Sequence, residues 1–229
     1  MDPSTGQVIA QAPCCTAAEV DETVAQAAEA YRTWSRTPVI RRTQVLFQFR
    51  ELLMEHMDEL TYILARENGK VWEEARGDLL KVKEPVELAC GAPTLMMGES
   101  LMDTSFGYDT VLYREPLGVF AGIAPFNFPA MIPMGWMVPL CIATGNTMVI
   151  KASSTTPMTS MRLLELLEEA GLPQGVVSVL TTGRDNAQAL LSDPRIKGVC
   201  FVGSTGAGLK IYSAAAASGK RVQALCEAK

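Results

Sequence analysis

The sequence predicts an α/β protein, a doubly wound parallel sheet preceded by N-terminal helices. Three observations carry that prediction. From Leu117 onward, short β-branched apolar runs alternate with segments of helical length. The runs are apolar nearly throughout, as in strands covered on both faces. Residues 115–154 (EPLGVFAGIAPFNFPAMIPMGWMVPLCIATGNTMVIKASS) read strand, helix, strand, one βαβ crossover.

Residues 2–13 (DPSTGQVIAQAP) read as a turn followed by a short strand. Thr16 and Glu19 have capping-box spacing and open a helix with Val20, Val24, Ala27 or Ala28, Tyr31 and Trp34 on one face. Pro38 ends that helix and starts the next. Leu46, Phe49, Leu53, Met57, Leu60 and Leu64 then form one apolar stripe, so a single helix is expected over 39–67. Gly69 stops it, and a third helix rich in Glu and Lys is expected over 71–96. Residues 101–114 alternate loosely and predict a two-stranded ribbon turning at Phe106-Gly107. A lone ribbon is marginal in water, so it should lean on a partner subunit or on further chain.

The α/β part follows. Strands are expected at 117–123, 147–150, 176–180 and 198–202, with another beginning at 221. Helices are expected at 130–143, 158–170, 185–191 and 205–218. Thr156-Pro157 starts the second of these, and Gly171 with Pro173 ends it.

Composition excludes several classes. The 229 residues are 48% hydrophobic and 20% charged, ordinary for a soluble globular protein. A net charge of −5 and a pI near 5.1 argue against a nucleic-acid or acidic-membrane binder. Pro133, Pro139 and Gly145 interrupt the most apolar region, so no membrane span is expected. The N-terminus lacks the features of a secretory signal. The six cysteines show no CxxC pairing and His56 is the only histidine, so no metal site is expected. A reducing compartment fits, the cytoplasm or, in a eukaryotic source, the mitochondrial matrix.

Three strand ends could carry chemistry, because open α/β sheets bind ligands beyond the carboxyl ends of their strands. Asn127 stands among prolines and phenylalanines, where it could donate to an oxyanion or merely form a turn. Lys151 could reach ribose or phosphate oxygens, or be a surface lysine. The run FVGST at 201–205 puts Gly203 and Ser204 at a helix start, suited to a pyrophosphate or to simple capping by Ser204. GSTGAG at 203–208 has the glycines of a P-loop, but Leu209 and Lys210 stand where Lys and Ser/Thr must follow, which disfavours phosphoryl transfer.

PFNFP (125–129), VIK (149–151) and FVGST (201–205), in that order and spacing, resemble the aldehyde dehydrogenase superfamily. TPVIRR (37–42), VLFQFRELL (45–53), ELACG (87–91) and GKRVQAL (219–225) look similar to its CoA-acylating methylmalonate-semialdehyde branch. The resemblance covers essentially the whole chain. It implies that residues 1–229 are the N-terminal coenzyme-binding domain, of Rossmann type, of an enzyme that oxidises a small aldehyde to an acyl-CoA. The ribbon would be an oligomerisation arm, and the full-length protein a homo-oligomer, dimer or tetramer. It implies NAD as cofactor, with NADP possible, and coenzyme A as co-substrate. Asn127 would be the oxyanion amide. Ile123, Ala124, Lys151, Ser153, Ser154, Gly203 and Ser204 would bind the cofactor.

Four departures stand out. Ser154 occupies the place of a glutamate that clamps the ribose 2′-hydroxyl in many relatives, which would let a 2′-phosphate in. Leu225 stands where hydrolytic relatives carry the general-base glutamate, and this fits transfer to CoA. Glu227 replaces a small residue beside the cofactor. None of the six cysteines, Cys226 included, matches the family's nucleophile, so the catalytic domain is expected outside this chain. The rival expectation is a truncated module, non-catalytic, that binds nucleotide or oligomerises. The last strand would leave a sheet edge unpaired, so this chain alone should be poorly soluble, and a partial sequence is favoured.

Overall fold

The computed structural model describes residues 1–227. Nine α-helices and seven strands are found among them, with one π-helical segment. Helix α1 (Ala17–Trp34) begins at the expected box: Thr16 Oγ1 accepts from the Glu19 N–H, and the Glu19 carboxylate accepts from the Thr16 N–H. The N-terminal strand does not form. Segment 6–16 forms no regular element and is joined to the sheet region by one backbone–backbone bond, Cys15 N–H to Thr181 O at 2.8 Å, with no ladder.

The long helix expected over 39–67 is two helices, α2 (Val39–Glu55) and α3 (Met57–Asn68), hinged at His56. Leu46, Phe49, Leu53, Met57, Leu60 and Leu64 are all buried. The stripe runs unbroken across the hinge, which is why periodicity did not reveal it. Gly69 ends α3 in the left-handed region, φ 80°. The third helix also divides, into α4 (Trp72–Cys90) and a single turn, α5 (Ala92–Leu95), at Gly91.

Strands β1 (Ser100–Ser105) and β2 (Tyr108–Val111) pair antiparallel, with Ser105 opposite Tyr108, and every residue of both is exposed. At the base of the ribbon a Cβ on Gly98 would lie 1.8 Å from Leu112 O, so only glycine fits.

The remaining strands are β3 (Val119–Ile123), β4 (Thr147–Lys151), β5 (Val177–Leu180), β6 (Ile196–Gly203) and β7 (Arg221–Cys226). They form one parallel sheet in the order β5-β4-β3-β6-β7, the expected doubly wound arrangement. Alternate residues feed two cores. Met148, Ile150, Val177 and Val202 join α2, α3, α4, α6 (Val138–Ala143) and α7 (Met158–Glu169). Val119, Ala121, Val149 and Val199 join α1, α8 (Arg184–Ser192) and α9 (Thr205–Ala217).

The helix expected over 130–143 opens instead as a π-helical segment, Met131–Met137, before α6. Pro133 and Pro139 lack donors, so a regular i to i−4 ladder cannot run through. The segment lies against α4 at a matching irregularity. Pro85 cannot donate to Lys81 O, and a Cβ on Gly135 would come within 3.0 Å of that oxygen.

Candidate functional site

Strand order reverses at β3, whose neighbours β4 and β6 connect in opposite directions; such a switch point opens a crevice at the carboxyl ends. A cleft of about 540 Å³ lies there. Ile123 from the end of β3, Lys151 from the end of β4 and Phe201 and Ser204 from the end of β6 line it, with Arg184 on α8 and Lys210 on α9. Its apolar wall is Ala187 and Leu191 facing Ala207 and Ile211.

Lys151 is half-buried, and burial lowers its pKa below the ordinary lysine value. The lining holds three cations and no carboxylate. Ser204 is the residue before α9, extended at φ −72° and ψ 149°, and its hydroxyl makes no capping bond. Gly203 and Gly208 leave room for the Phe201 ring, which would lie 2.6 Å and 3.2 Å from Cβ atoms built on them. The Glu227 carboxylate reaches this helix start, accepting from Thr205 Oγ1 at 2.7 Å, and its backbone is left-handed, φ 61°.

The other expected residues lie nearby but do not line the cleft. Ala124 is buried, its N–H donating to Lys151 O at 3.1 Å. Ser153 shares a hydrogen bond with Thr155, 2.8 Å between hydroxyls. Ser154 borders a separate hollow of about 30 Å³ with Glu67 and Thr155.

Asn127 follows β3 in loop 124–130, and its Oδ1 is buried without a hydrogen-bond partner among the described residues. The loop around it is firmly held. Asn68 Nδ2 and Thr156 Oγ1 both donate to Phe126 O, at 2.8 and 3.1 Å. Ser160 Oγ donates to Pro129 O at 2.7 Å. Asp78 Oδ1 accepts from the Met131 N–H at 2.8 Å, while its Oδ2 pairs with Lys70 Nζ at 2.9 Å. That ammonium lies 4.0 Å from the centre of the Phe128 ring. Burial raises the Asp78 pKa, Lys70 opposing. Glu67 joins the neighbouring helices, accepting from the Met158 and Thr159 N–H groups at 2.8 and 2.9 Å and from the Thr159 hydroxyl.

Sequence reasoning missed Arg184 and Asn68; it met Thr156 only as a helix start and Lys210 only as a residue that spoils a P-loop. Arg184 does follow a strand by a short Gly-containing turn, a position that could have flagged it. The thiols of Cys90, Cys141 and Cys200 are pushed up by burial, Cys200 to about 11, the opposite of what a thiolate nucleophile needs. No helix among the described residues is long and apolar enough to cross a membrane.

A profile described as the aldehyde dehydrogenase family matches residues 1–229. The chain is 50% identical over 228 residues to malonate-semialdehyde dehydrogenase 1 of Geobacillus thermodenitrificans (strain NG80-2), covering 100% of itself and 47% of that protein. Malonate-semialdehyde dehydrogenase 2 of Geobacillus kaustophilus (strain HTA426) matches to the same extent. Among solved structures, methylmalonate-semialdehyde dehydrogenase from Oceanimonas doudoroffii superposes with a TM-score of 0.96 at 42% identity, over 100% of this chain and 46% of that one. A putative methylmalonate-semialdehyde dehydrogenase from Sinorhizobium meliloti 1021, complexed with NAD, gives 0.97 at 39% identity, with the same coverage. The chain thus spans about half the length of the relatives it matches.

Proposed function

The chain belongs to the aldehyde dehydrogenase family, and from that premise we propose that residues 1–229 are the coenzyme-binding half of a CoA-acylating semialdehyde dehydrogenase. The carrying observation is the cleft at the switch point, with three cations, no carboxylate and a helix start whose serine hydroxyl is uncommitted. That donor set fits a dinucleotide. A nicotinamide dinucleotide held there would supply the hydride acceptor for oxidation of the aldehyde carbon once a thiolate has added to it. Lys151 binds the ribose, and Ser204 with Gly203 faces the pyrophosphate at the positive end of α9. Ile123 lines the cleft and would lie along the cofactor; Ala124, Ser153 and Ser154 stand just outside the lining and would shape its edge near the ribose. Position 154 itself carries serine in place of a carboxylate that would repel a 2′-phosphate, which supports acceptance of NADP as well.

Asn127 donates its side-chain amide to the oxygen that becomes negative as a cysteine thiolate adds to the aldehyde. The thiolate comes from outside these residues, because none of the six cysteines matches the family's nucleophile, and burial raises the pKa of Cys90, Cys141 and Cys200. Leu225, standing where hydrolytic relatives carry a base, supports release of the thioester to coenzyme A. The names of the relatives support a small semialdehyde as substrate. The exposed ribbon supports assembly into a homo-oligomer.

Titration of the complete enzyme with NAD tests this reading. Replacing Lys151 with Met or Ser204 with Ala should weaken binding about tenfold, the loss of one good polar contact. Unchanged affinity in both would overturn the site. Aldehyde-dependent NADH formation by the 229-residue chain alone would overturn the external nucleophile.

A further inference from the structure

We infer that Asn68 and Thr156 are positioning residues for Asn127, acting through the one carbonyl they share. This rests on the reading of Asn127 as the oxyanion donor. A side-chain amide stabilises developing charge only if its direction is fixed before the charge appears. That direction follows from the peptide joining residues 126 and 127. Its oxygen, Phe126 O, receives two donors from two different helix ends: Asn68 Nδ2 from the last residue of α3, and Thr156 Oγ1 from just ahead of α7. Rotation of this peptide would break both bonds at once. Thr156 is 4% exposed, so its lost bond would not be replaced by water.

The two donors do not drift independently. Glu67, one residue before Asn68, accepts the first N–H groups of α7, so the end of α3 and the start of α7 form a single bracket around the loop. Neither Asn68 nor Thr156 lines the cofactor cleft. Their loss should therefore act on the chemical step and spare cofactor binding.

The experiment uses the complete enzyme and measures kcat and the Kd for NAD side by side. Asn127→Ala should lower kcat about a hundredfold. Asn68→Ala and Thr156→Val should each lower it about tenfold and leave the Kd within about twofold, as expected for a group displaced by a fraction of an ångström. Thr156→Ser should restore kcat, since it keeps the hydroxyl. Adding Thr156→Val to Asn127→Ala should cost nothing further. If both bracket variants keep full kcat while Asn127→Ala is impaired, the inference fails and the oxyanion reading stands. If Thr156→Val lowers kcat and NAD affinity together and Thr156→Ser does not rescue it, the residue is merely structural and the inference fails. If Asn127→Ala itself keeps full kcat, the oxyanion reading falls, and the positioning role falls with it.

Discussion

Loop 124–130 and the cleft beyond β6 lie at the same end of one sheet and use polar groups in opposite ways. In the loop, side-chain donors hold Phe126 O and Pro129 O, Asp78 accepts from the Met131 N–H just beyond it, and Lys70 is paired with Asp78. In the cleft, the side chains of Lys151, Arg184, Lys210 and Ser204 form no hydrogen bond or ion pair among the described residues. A group that must meet charge developing on a substrate has to be fixed beforehand, so its surroundings are satisfied internally. Groups that take up a phosphate or ribose leave their hydrogen-bonding capacity for the ligand. The first region should therefore fail by losing stability, the second by losing affinity.

The largest effect should come from removing the charge that anchors the loop. Asp78→Ala leaves Lys70 unpaired beside Phe128 and the buried Met131 N–H without an acceptor. Breaking one side of a buried pair costs about 3–5 kcal/mol. Lys151→Met, by contrast, removes a half-buried ammonium that has no partner to abandon, and should change stability by less than about 0.5 kcal/mol. Chemical denaturation of the two variants checks the contrast. Equal losses would erase the distinction between the regions.

Much of this was legible in the sequence. The βαβ order, the ends of α7 and the place of Asn127 and Lys151 at strand ends follow from local chemistry, the alternation of apolar runs with Gly and Pro breaks. The bracket was not legible, because Asn68 and Thr156 lie 58 and 30 residues from the carbonyl they share. The hinge at His56 and the π-helical segment were hidden for a different reason. Both keep their apolar side chains buried, so the pattern reads as continuous helix although the backbone ladder changes. The short strand expected within 2–13 does not form: the stretch through Cys15 makes one backbone–backbone bond toward the sheet, at Cys15 itself, where a strand needs a ladder.

A middle-sized effect concerns pH. Burial places the Lys151 pKa below the usual 10.5, and only its ammonium form attracts the ribose and phosphate oxygens proposed for it. NAD affinity should therefore fall as pH rises through that lowered pKa, starting earlier than an exposed lysine would allow. Lys151→Arg, whose guanidinium stays charged, should keep affinity flat over the same window. A titration series in alkaline buffers reads this directly. An identical decline in both proteins would assign it to another group.

The smallest effect sharpens the comparison at its boundary, where one group of the opposite charge stands beside the cleft. Glu227 brings a carboxylate to the first residue of α9, accepting from Thr205 Oγ1, close to where the pyrophosphate is proposed to lie. Both are anions drawn to the same positive helix end, so each weakens the other's hold. The interaction of a surface charge with a helix terminus is about 0.3–1 kcal/mol. Glu227→Gln keeps an acceptor for Thr205 and removes the charge, so NAD should bind about two- to fivefold more tightly, and raising the salt concentration should shrink the difference. Affinity that does not move with the charge would mean that the phosphates lie away from this end of α9. Lys151 and the apolar wall between α8 and α9 would then have to position the cofactor without the helix.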